Sequence, residues 1–342
     1  MQPSAQVIST KLRYTREADF RQERSFGSKI SATFEFLTGQ FRPFFKCVAY
    51  FVLPFILLGA LGLAGSMFYS GQPALGSIGF GNGNAMMRDS LGLSAALSTG
   101  ISGLLLMLGF MLLGSTVYAY LRVRLDTPAE AEVRPGQVGA LLRARLGQLL
   151  LSWLLLLALV LLPWVLVALV SAGLLSIAGS GSLALWVMLL FLPLAWVGVT
   201  LLLYFPAFWL EDLGPLAALW RCFYLIRGKW WSSLGLYILT SMIAGLITYL
   251  FMIPVLMVSV SSTLLHQEAL KAEWLGLAGM SLYSIGWVFS LCLPLVAMGF
   301  QFFNLVERRD SVGLHQLVHT LGQAAAPQVS GGTYRPDEEG EY

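Results

Sequence analysis

The chain has 342 residues, of which 57% are hydrophobic and only 11% are charged. Soluble domains carry about 25% charged residues, so this deficit excludes an ordinary soluble protein and indicates one that lies in lipid. The net charge of +3 is small and no basic stripe accompanies it, which argues against a nucleic-acid-binding protein.

The chain begins with a polar segment, residues 1–43, which we expect in the cytoplasm. It lacks an early apolar core and is therefore not predicted to be a cleaved signal peptide. A helix is predicted over Ser28–Leu37, because four of its residues share one face at helical spacing: Ile30, Thr33, Phe34 and Leu37. Such a helix lies in the membrane interface, with its rings at headgroup depth and its basic residues toward anionic lipid.

Six apolar segments follow, each longer than the roughly 20 residues that a spanning helix needs. They cover about residues 45–69, 91–120, 149–177, 183–210, 231–260 and 274–304. The sequence therefore predicts an all-α polytopic membrane protein, whose transmembrane domain at 44–305 contains six helices arranged as three hairpins.

The basic residues are divided unequally between the two sides of these segments. Of the 21 lysines and arginines, eight come before the first segment, five between the second and third, three between the fourth and fifth, and three after the sixth. The opposite side has only Arg88 and Lys271. Because cytoplasmic loops carry the lysine and arginine excess, we predict a multi-pass protein of the bacterial inner membrane with both termini in the cytoplasm.

A short pattern recurs before the odd-numbered segments. Phe34–Phe41 (FEFLTGQF) and Phe223–Trp230 (FYLIRGKW) match without a gap at aromatic, aliphatic and glycine positions, and Leu142–Leu149 is a weaker counterpart. Before the fifth segment, Pro215–Ile226 is predicted to form an interfacial helix with one apolar face: Leu216, Leu219, Trp220 and Phe223. Both a duplication and a shared interfacial composition explain the pattern.

These segments supply the candidate lipid- or partner-contact residues: Phe34, Phe36, Phe41, Trp220, Phe223, Arg227, Lys229 and Trp230. Either the interfacial helices only position the hairpins, or they recognise a specific lipid or partner. After the sixth segment, a short amphipathic helix is predicted at 306–322, followed by a disordered tail at 323–342.

No motif in the chain predicts catalysis or a cofactor. The interiors of the apolar segments contain no Asp, Glu, Lys, Arg or His, which argues against a proton-driven antiporter. His315 and His319 are four residues apart but lack the further ligands that zinc needs, and Glu211 with Asp212 is more typical of a solvated helix end than of a cation site. The three cysteines show no metal spacing, and no HExxH, nucleophile elbow or P-loop occurs. We therefore predict no enzyme, no metal and no cofactor.

The segment ALWRCFYLIRGKWW within Gly214–Trp231 joins an amphipathic helix to a long apolar segment. In this it resembles the membrane domain of glycerophosphodiester phosphodiesterases and related uncharacterised bacterial proteins. The flanks FGSKISATFEFLTGQFRPFFK and QFFNLVERRD resemble those of Bacteroidetes multi-pass membrane proteins, so that the likeness covers residues 26–322. The catalytic His, Glu and metal-binding acids of the phosphodiesterases have no counterpart, and the resemblance implies a membrane module without the enzyme.

Two functional hypotheses follow from the sequence. The first is a non-enzymatic scaffold or assembly factor whose partners are membrane lipids, another membrane protein or a second copy of the chain. The alternative is a transporter or lipid-translocating protein, for which the proline-containing, glycine-rich segments are typical. A hydrated cavity in mid-membrane, near Ser98, Ser102, Thr240 and Ser241, would favour the alternative.

Overall fold

The computed structural model describes Tyr14 and residues 17–69, 93–128, 131–178, 195–264 and 273–311. Throughout these ranges the regular secondary structure is α-helical. The helices are α1 (Glu17–Phe20), α2 (Phe26–Gly39), α3 (Phe41–Phe51), α4 (Leu53–Tyr69), α5 (Leu93–Asp126), α6 (Pro135–Ala144), α7 (Leu146–Ala178), α8 (Tyr204–Leu210), α9 (Pro215–Ile226), α10 (Trp230–Leu264) and α11 (Glu273–Asp310).

Several of these helices are compatible with a membrane protein by length and composition. Stretches of α5, α10 and α11 are each long and apolar enough to cross a membrane: Leu97–Asp126, Trp230–Met257 and Leu277–Asp310. Two bent pairs, α3 with α4 and α6 with α7, raise the number of candidate spans from three to five. The sequence predicts a sixth at 183–210, of which the structure describes Ala195–Leu210 as a shorter apolar helix.

The first predicted span is bent rather than straight. α3 and α4 meet at 51° around Val52. Pro54 is the second residue of α4, and its ring has no N–H to donate to the carbonyl of Tyr50 and would collide with that carbonyl in a continuous helix. The proline therefore explains why a new helix begins here.

Helix α11 lies at the centre of the bundle, in contact with α10, α4, α2 and α5. Within the most apolar 18 residues of each candidate span, 72% are buried in α11 and 17% in α10. The close approach of α11 to α10 requires glycine, because a Cβ at Gly286 would overlap the ring of Phe251 and one at Gly279 would meet Val255 at 2.9 Å. α10 is thus packed along one side and otherwise presents apolar side chains outward.

Two helices continue further than the sequence predicts. α5 runs to Asp126 instead of about 120, and α11 runs to Asp310 instead of about 304. The start of the predicted helix at 306–322 is therefore the end of α11, and its remainder lies outside the described residues, as does the tail at 323–342.

Three short helices each lead through a turn into a longer helical segment: α2 into α3, α6 into α7, and α9 into α10. We call these the first, second and third interfacial units. When the units are aligned on Phe41, Leu146 and Trp230, which begin the second helix of each unit, four buried positions coincide: Thr33, Val138 and Cys222; Leu37, Leu142 and Ile226; Phe44, Leu149 and Ser233; Cys47, Ser152 and Leu236. The first and third units keep the sequence alignment, whereas the second is shifted by three residues, because its turn is at Arg145 rather than at Gln148.

Candidate lipid- and partner-contact surface

The third interfacial unit presents aromatic and basic side chains at the surface. Trp220 on α9 is 75% exposed, and Trp231 at the start of α10 is 79% exposed. Arg227 and Lys229, in the turn between the two helices, are also exposed. Trp231 was not among the predicted contact residues, although its position beside Trp230 and Lys229 could have identified it.

Aromatic residues in this region are linked by direct contacts. The rings of Phe223 and Trp196 are 5.6 Å apart, and the indole N–H of Trp230 donates to the carbonyl of Trp196 at 3.3 Å. Trp230 also contacts Trp231 edge to face at 4.6 Å. Phe223 and Trp230, both predicted contact residues, are therefore half-buried: Phe223 packs on Trp196, and Trp230 supports the exposed ring of Trp231.

The first interfacial unit is different, since only part of its predicted set is exposed. Phe41 is 57% exposed and Phe34 is 37% exposed, but Phe36 is fully buried. The ring of Phe36 packs edge to face on Phe20, Phe44, Tyr120 and Phe300. The structure places Phe36, a predicted contact residue, inside the bundle rather than at its surface, because the face of α2 that carries Phe36 packs on α11.

An ionic clamp holds the third unit against the ends of α8 and α11. The guanidinium of Arg221 on α9 donates twice to Glu211, both times at 2.7 Å, and once to Asp310. Burial lowers the pKa of Arg221, but these hydrogen bonds and charges outweigh burial and leave that pKa above its ordinary value. The ring of Tyr224 lies under both Arg221 and Arg309, at 5.4 and 5.0 Å.

Two more arginines cap the end of α8. Arg145 donates to the carbonyl of Phe208 at 3.1 Å and forms an ion pair with Asp212, while Arg122 donates to the carbonyl of Leu210 at 3.0 Å. A helix C-terminus carries unpaired carbonyls and partial negative charge, which cations stabilise. Within the described residues, Glu211 and Asp212 are thus occupied by arginines and do not form a cation site.

The N-terminal segment is anchored to α11 through Arg24 and Phe20. The backbone N–H of Arg24 donates to Asn304 at 2.8 Å, and its guanidinium donates to the carbonyl of Phe20 at 2.8 Å and lies 5.2 Å from the ring of Phe300. Phe20 is fully buried and stacks on Phe300 at 5.9 Å. The residues that anchor the segment are 280 positions apart in sequence, and no local pattern indicates them.

Lys29 differs from the exposed basic residues of this surface because it is only 4% exposed. Its ammonium donates to Gln301 Oε1 at 2.6 Å, and Gln301 Nε2 donates to Ser233 Oγ at 2.8 Å. Ser233 in turn donates to the carbonyl of Lys229 at 3.1 Å. Burial first, and then the positive charges of Arg308 and Lys229, lower the pKa of Lys29 to about 8. This relay joins α2, α11 and α10.

The hydroxyls that the sequence places near a transport cavity are mostly engaged within their own helices. Ser102 donates to the carbonyl of Ser98 at 2.7 Å, and Thr240 donates to that of Leu236 at 2.8 Å. By contrast, the hydroxyls of Ser115 and Thr116 on α5 and of Ser241 on α10 are buried without a hydrogen-bond partner in the described structure.

No group of three or more metal-ligating side chains occurs among the described residues, and His315 and His319 lie outside them. The chain matches no family model, no curated protein and no solved structure. The basic residues therefore have two uses that can be read from the geometry: some bind helix ends and carboxylates, and others, with Trp220 and Trp231, remain at the surface.

Proposed function

We propose that this chain is a six-span inner-membrane protein, with both termini in the cytoplasm, that acts without catalysis as a scaffold or assembly factor. Its contacts with lipids or a partner are made at the basic end of the bundle, where the three interfacial units meet the ends of α5, α8 and α11. The resemblance to phosphodiesterase membrane domains is compatible with such a module.

One observation carries the proposal: the exposed aromatic and cationic side chains lie on, and just after, α9, a helix that ion pairs hold against α8 and α11. Trp220 and Trp231 are more than 70% exposed, and lysine and arginine beside such rings are typical of the headgroup region of a membrane. The Arg221 clamp beneath them fixes α9 to α8 and α11. A surface that is held in place loses little conformational entropy when it binds.

Capture from native membranes tests this proposal. The full chain and a Trp220→Ala/Trp231→Ala variant are purified in parallel, with Leu150→Ala/Leu154→Ala on α7 as a control that removes apolar side chains of comparable exposure. We expect the tryptophan pair to lose co-purifying lipid or protein several-fold while the control retains it. Equal recovery from all three proteins would refute the role of this surface.

The proposed orientation has its own test. Reporter fusions on the intact chain are expected to alternate between outside and cytoplasm, beginning outside, at these positions: Asn82, Ala129, Gly181, Gly214, His266 and Gln323. A cytoplasmic signal at Asn82 would overturn both the orientation and the six-span arrangement.

A transporter or lipid-translocating protein is the second candidate, and the adjacent hydroxyls of Ser115 and Thr116 favour it. A buried hydroxyl without a partner costs about 1–3 kcal/mol, and a hydrated path along α5 would remove that cost. The test is Ser115→Cys in a chain without its native cysteines. Labelling by a membrane-impermeant maleimide would favour transport, and complete protection would exclude water access at this position.

A further inference from the structure

Lys29 is a buried cation with unused hydrogen-bonding capacity. An ammonium has three N–H donors, and Gln301 accepts one of them at 2.6 Å. Across the described residues no second acceptor reaches the amine. Burying a charge is costly unless it is paired and fully hydrogen-bonded, so this site lacks part of what would stabilise it.

Nearby positive charges further destabilise the charged form of Lys29. The relay through Gln301 and Ser233 ends at the backbone carbonyl of Lys229. Arg308 lies seven residues beyond Gln301 on α11, two helical turns along the same face. Both are cations, and both disfavour the charged form of Lys29. Glu23 approaches Arg308 at 3.6 Å, but that pair is at the surface, with the two side chains 38% and 60% exposed. Lys229 and Arg308 are thus near enough to act on the charge of Lys29, and Glu23 is the carboxylate that contacts Arg308.

We propose that this place binds the phosphate group of an anionic phospholipid, with Lys229 and Arg308 at the surface and Lys29 behind them. A phosphate oxygen accepts the N–H donors that Gln301 leaves unused, and its negative charge offsets the three cations. The inference rests on the proposed function, since it names the lipid class that the basic end would contact.

The surroundings favour a lipid over a soluble phosphate. Trp231 follows Lys229 by two residues and is 79% exposed, and Leu216 and Trp220 on α9 are 64% and 75% exposed. Such rings and aliphatic side chains suit the boundary between headgroups and acyl chains. A free phosphate ion would use the cations and leave these apolar side chains without a role.

The experiment measures lipid preference with the full chain in nanodiscs. Native mass spectrometry counts retained phosphatidylglycerol and phosphatidylcholine from equimolar mixtures for the wild type, Lys29→Met and Lys229→Gln. Lys46→Gln, at an exposed position on α3, is the matched control for net charge. We expect each of the two site variants to weaken the preference for phosphatidylglycerol about fivefold, and the control to keep it.

Thermal unfolding separates a binding role of Lys29 from a structural one. In pure phosphatidylcholine we expect Lys29→Met to be at least as stable as the wild type, since it removes an incompletely paired buried charge. Adding phosphatidylglycerol should then stabilise the wild type and leave Lys29→Met unchanged. If Lys29→Met fails to fold, the exposed Lys229→Gln variant still reports the preference.

Several outcomes would overturn the proposal. One is a full preference for phosphatidylglycerol in both site variants, and another is equal protection by inorganic phosphate in phosphatidylcholine nanodiscs. A third is a preference that appears only when the acidic side chains near the C-terminus are neutralised (Asp337→Asn with Glu338→Gln, Glu339→Gln and Glu341→Gln), since the tail would then be the occupant in the intact chain. Loss of the site with continued tryptophan-dependent capture would leave the proposed function standing.

Discussion

In the first interfacial unit the turn residue is buried and hydrogen-bonded within the bundle, whereas the turn residues of the third unit are exposed. Gln40 is only 2% exposed, its N–H donates to the carbonyl of Phe36 at 2.8 Å, and its Oε1 accepts from Tyr120 at 3.2 Å. The aligned residue of the third unit is Lys229, which is exposed and follows Gly228 at φ +73°. On either side of these turns the two units share several buried positions, among them Leu37 with Ile226 and Phe44 with Ser233.

The difference shows that two segments with a matching sequence pattern pack alike on the bundle and yet expose different residues at their turns. Phe36 and the aligned Leu225 are both fully buried, as expected for residues that hold a short helix to the bundle. The residues of the turn are under no such constraint. The turn of the first unit is part of the core, whereas the turn of the third unit exposes Arg227 and Lys229 beside exposed tryptophans.

The largest expected effect separates buried from exposed rings in the first unit. We expect Phe36→Ala to lower the free energy of unfolding by about 3–5 kcal/mol, because it leaves a cavity among four aromatic rings. Phe34→Ala, two residues earlier and 37% exposed, should cost less than about 1 kcal/mol. Denaturant unfolding in detergent measures both. Equal losses would mean that the two positions do not differ in burial.

The next effect concerns the ionic clamp of the third unit. Arg221→Met leaves Glu211 and Asp310 without their shared partner, and we expect a loss of about 2 kcal/mol. Arg143→Met, at an exposed position on α6, should change stability by no more than about 0.5 kcal/mol. The clamp would be unimportant if the two variants unfolded alike.

Glycine substitution compares the two turns directly. Gly228 has a positive φ of 73°, which costs other residues about 1–2 kcal/mol, whereas the aligned Gly39 is the last residue of α2. Gly228→Ala should therefore lower stability by about 1 kcal/mol, and Gly39→Ala should show no comparable loss. A reversed order would contradict the assigned turn geometry.

A further effect is a dependence of stability on pH at Lys29, which connects the two units. The unfolded lysine keeps its proton up to about pH 10.5, whereas the folded one, facing Arg308 and Lys229, loses it near pH 8. Because the unfolded state binds more protons in this window, raising the pH from 8 toward 10.5 should stabilise the fold. The wild-type thermal midpoint should rise relative to that of Lys29→Met, and parallel curves would contradict the assignment.

Much of the helical architecture could be predicted from apolar runs and helical spacing. The interfacial helix Pro215–Ile226 has its predicted bounds, and α10 and α11 begin within a residue of theirs. The bend at Val52 could not be predicted from hydropathy, because apolar composition continues unbroken across it. Pro54 is a local signal for that bend, but prolines also occur inside α10 and α11, which continue through them.

The exposed residues of the surface could be predicted from the sequence more readily than the buried contacts beneath them. Trp220, Arg227 and Lys229 follow from interfacial composition alone. The contacts of Lys29 with Gln301 and of Arg24 with Asn304 join residues 272 and 280 positions apart. Helical spacing groups Phe34 with Thr33 and Leu37 on one apolar face of α2. The buried face keeps Thr33 and Leu37 but adds Lys29, Ala32 and Phe36 in place of Phe34. Only the packing of α11 decides between such neighbouring faces.

The order of synthesis gives the end of α11 a particular consequence. Lys29, Arg24 and Arg221 each complete their contacts with residues of one late segment, which contains Gln301, Asn304 and Asp310. A ribosome makes that segment last of the described chain, so these earlier residues lack those partners until α11 has been synthesised. Arrival of α11 then completes contacts to α2, to the N-terminal segment and to α9, and assembly of the basic end finishes in one late step.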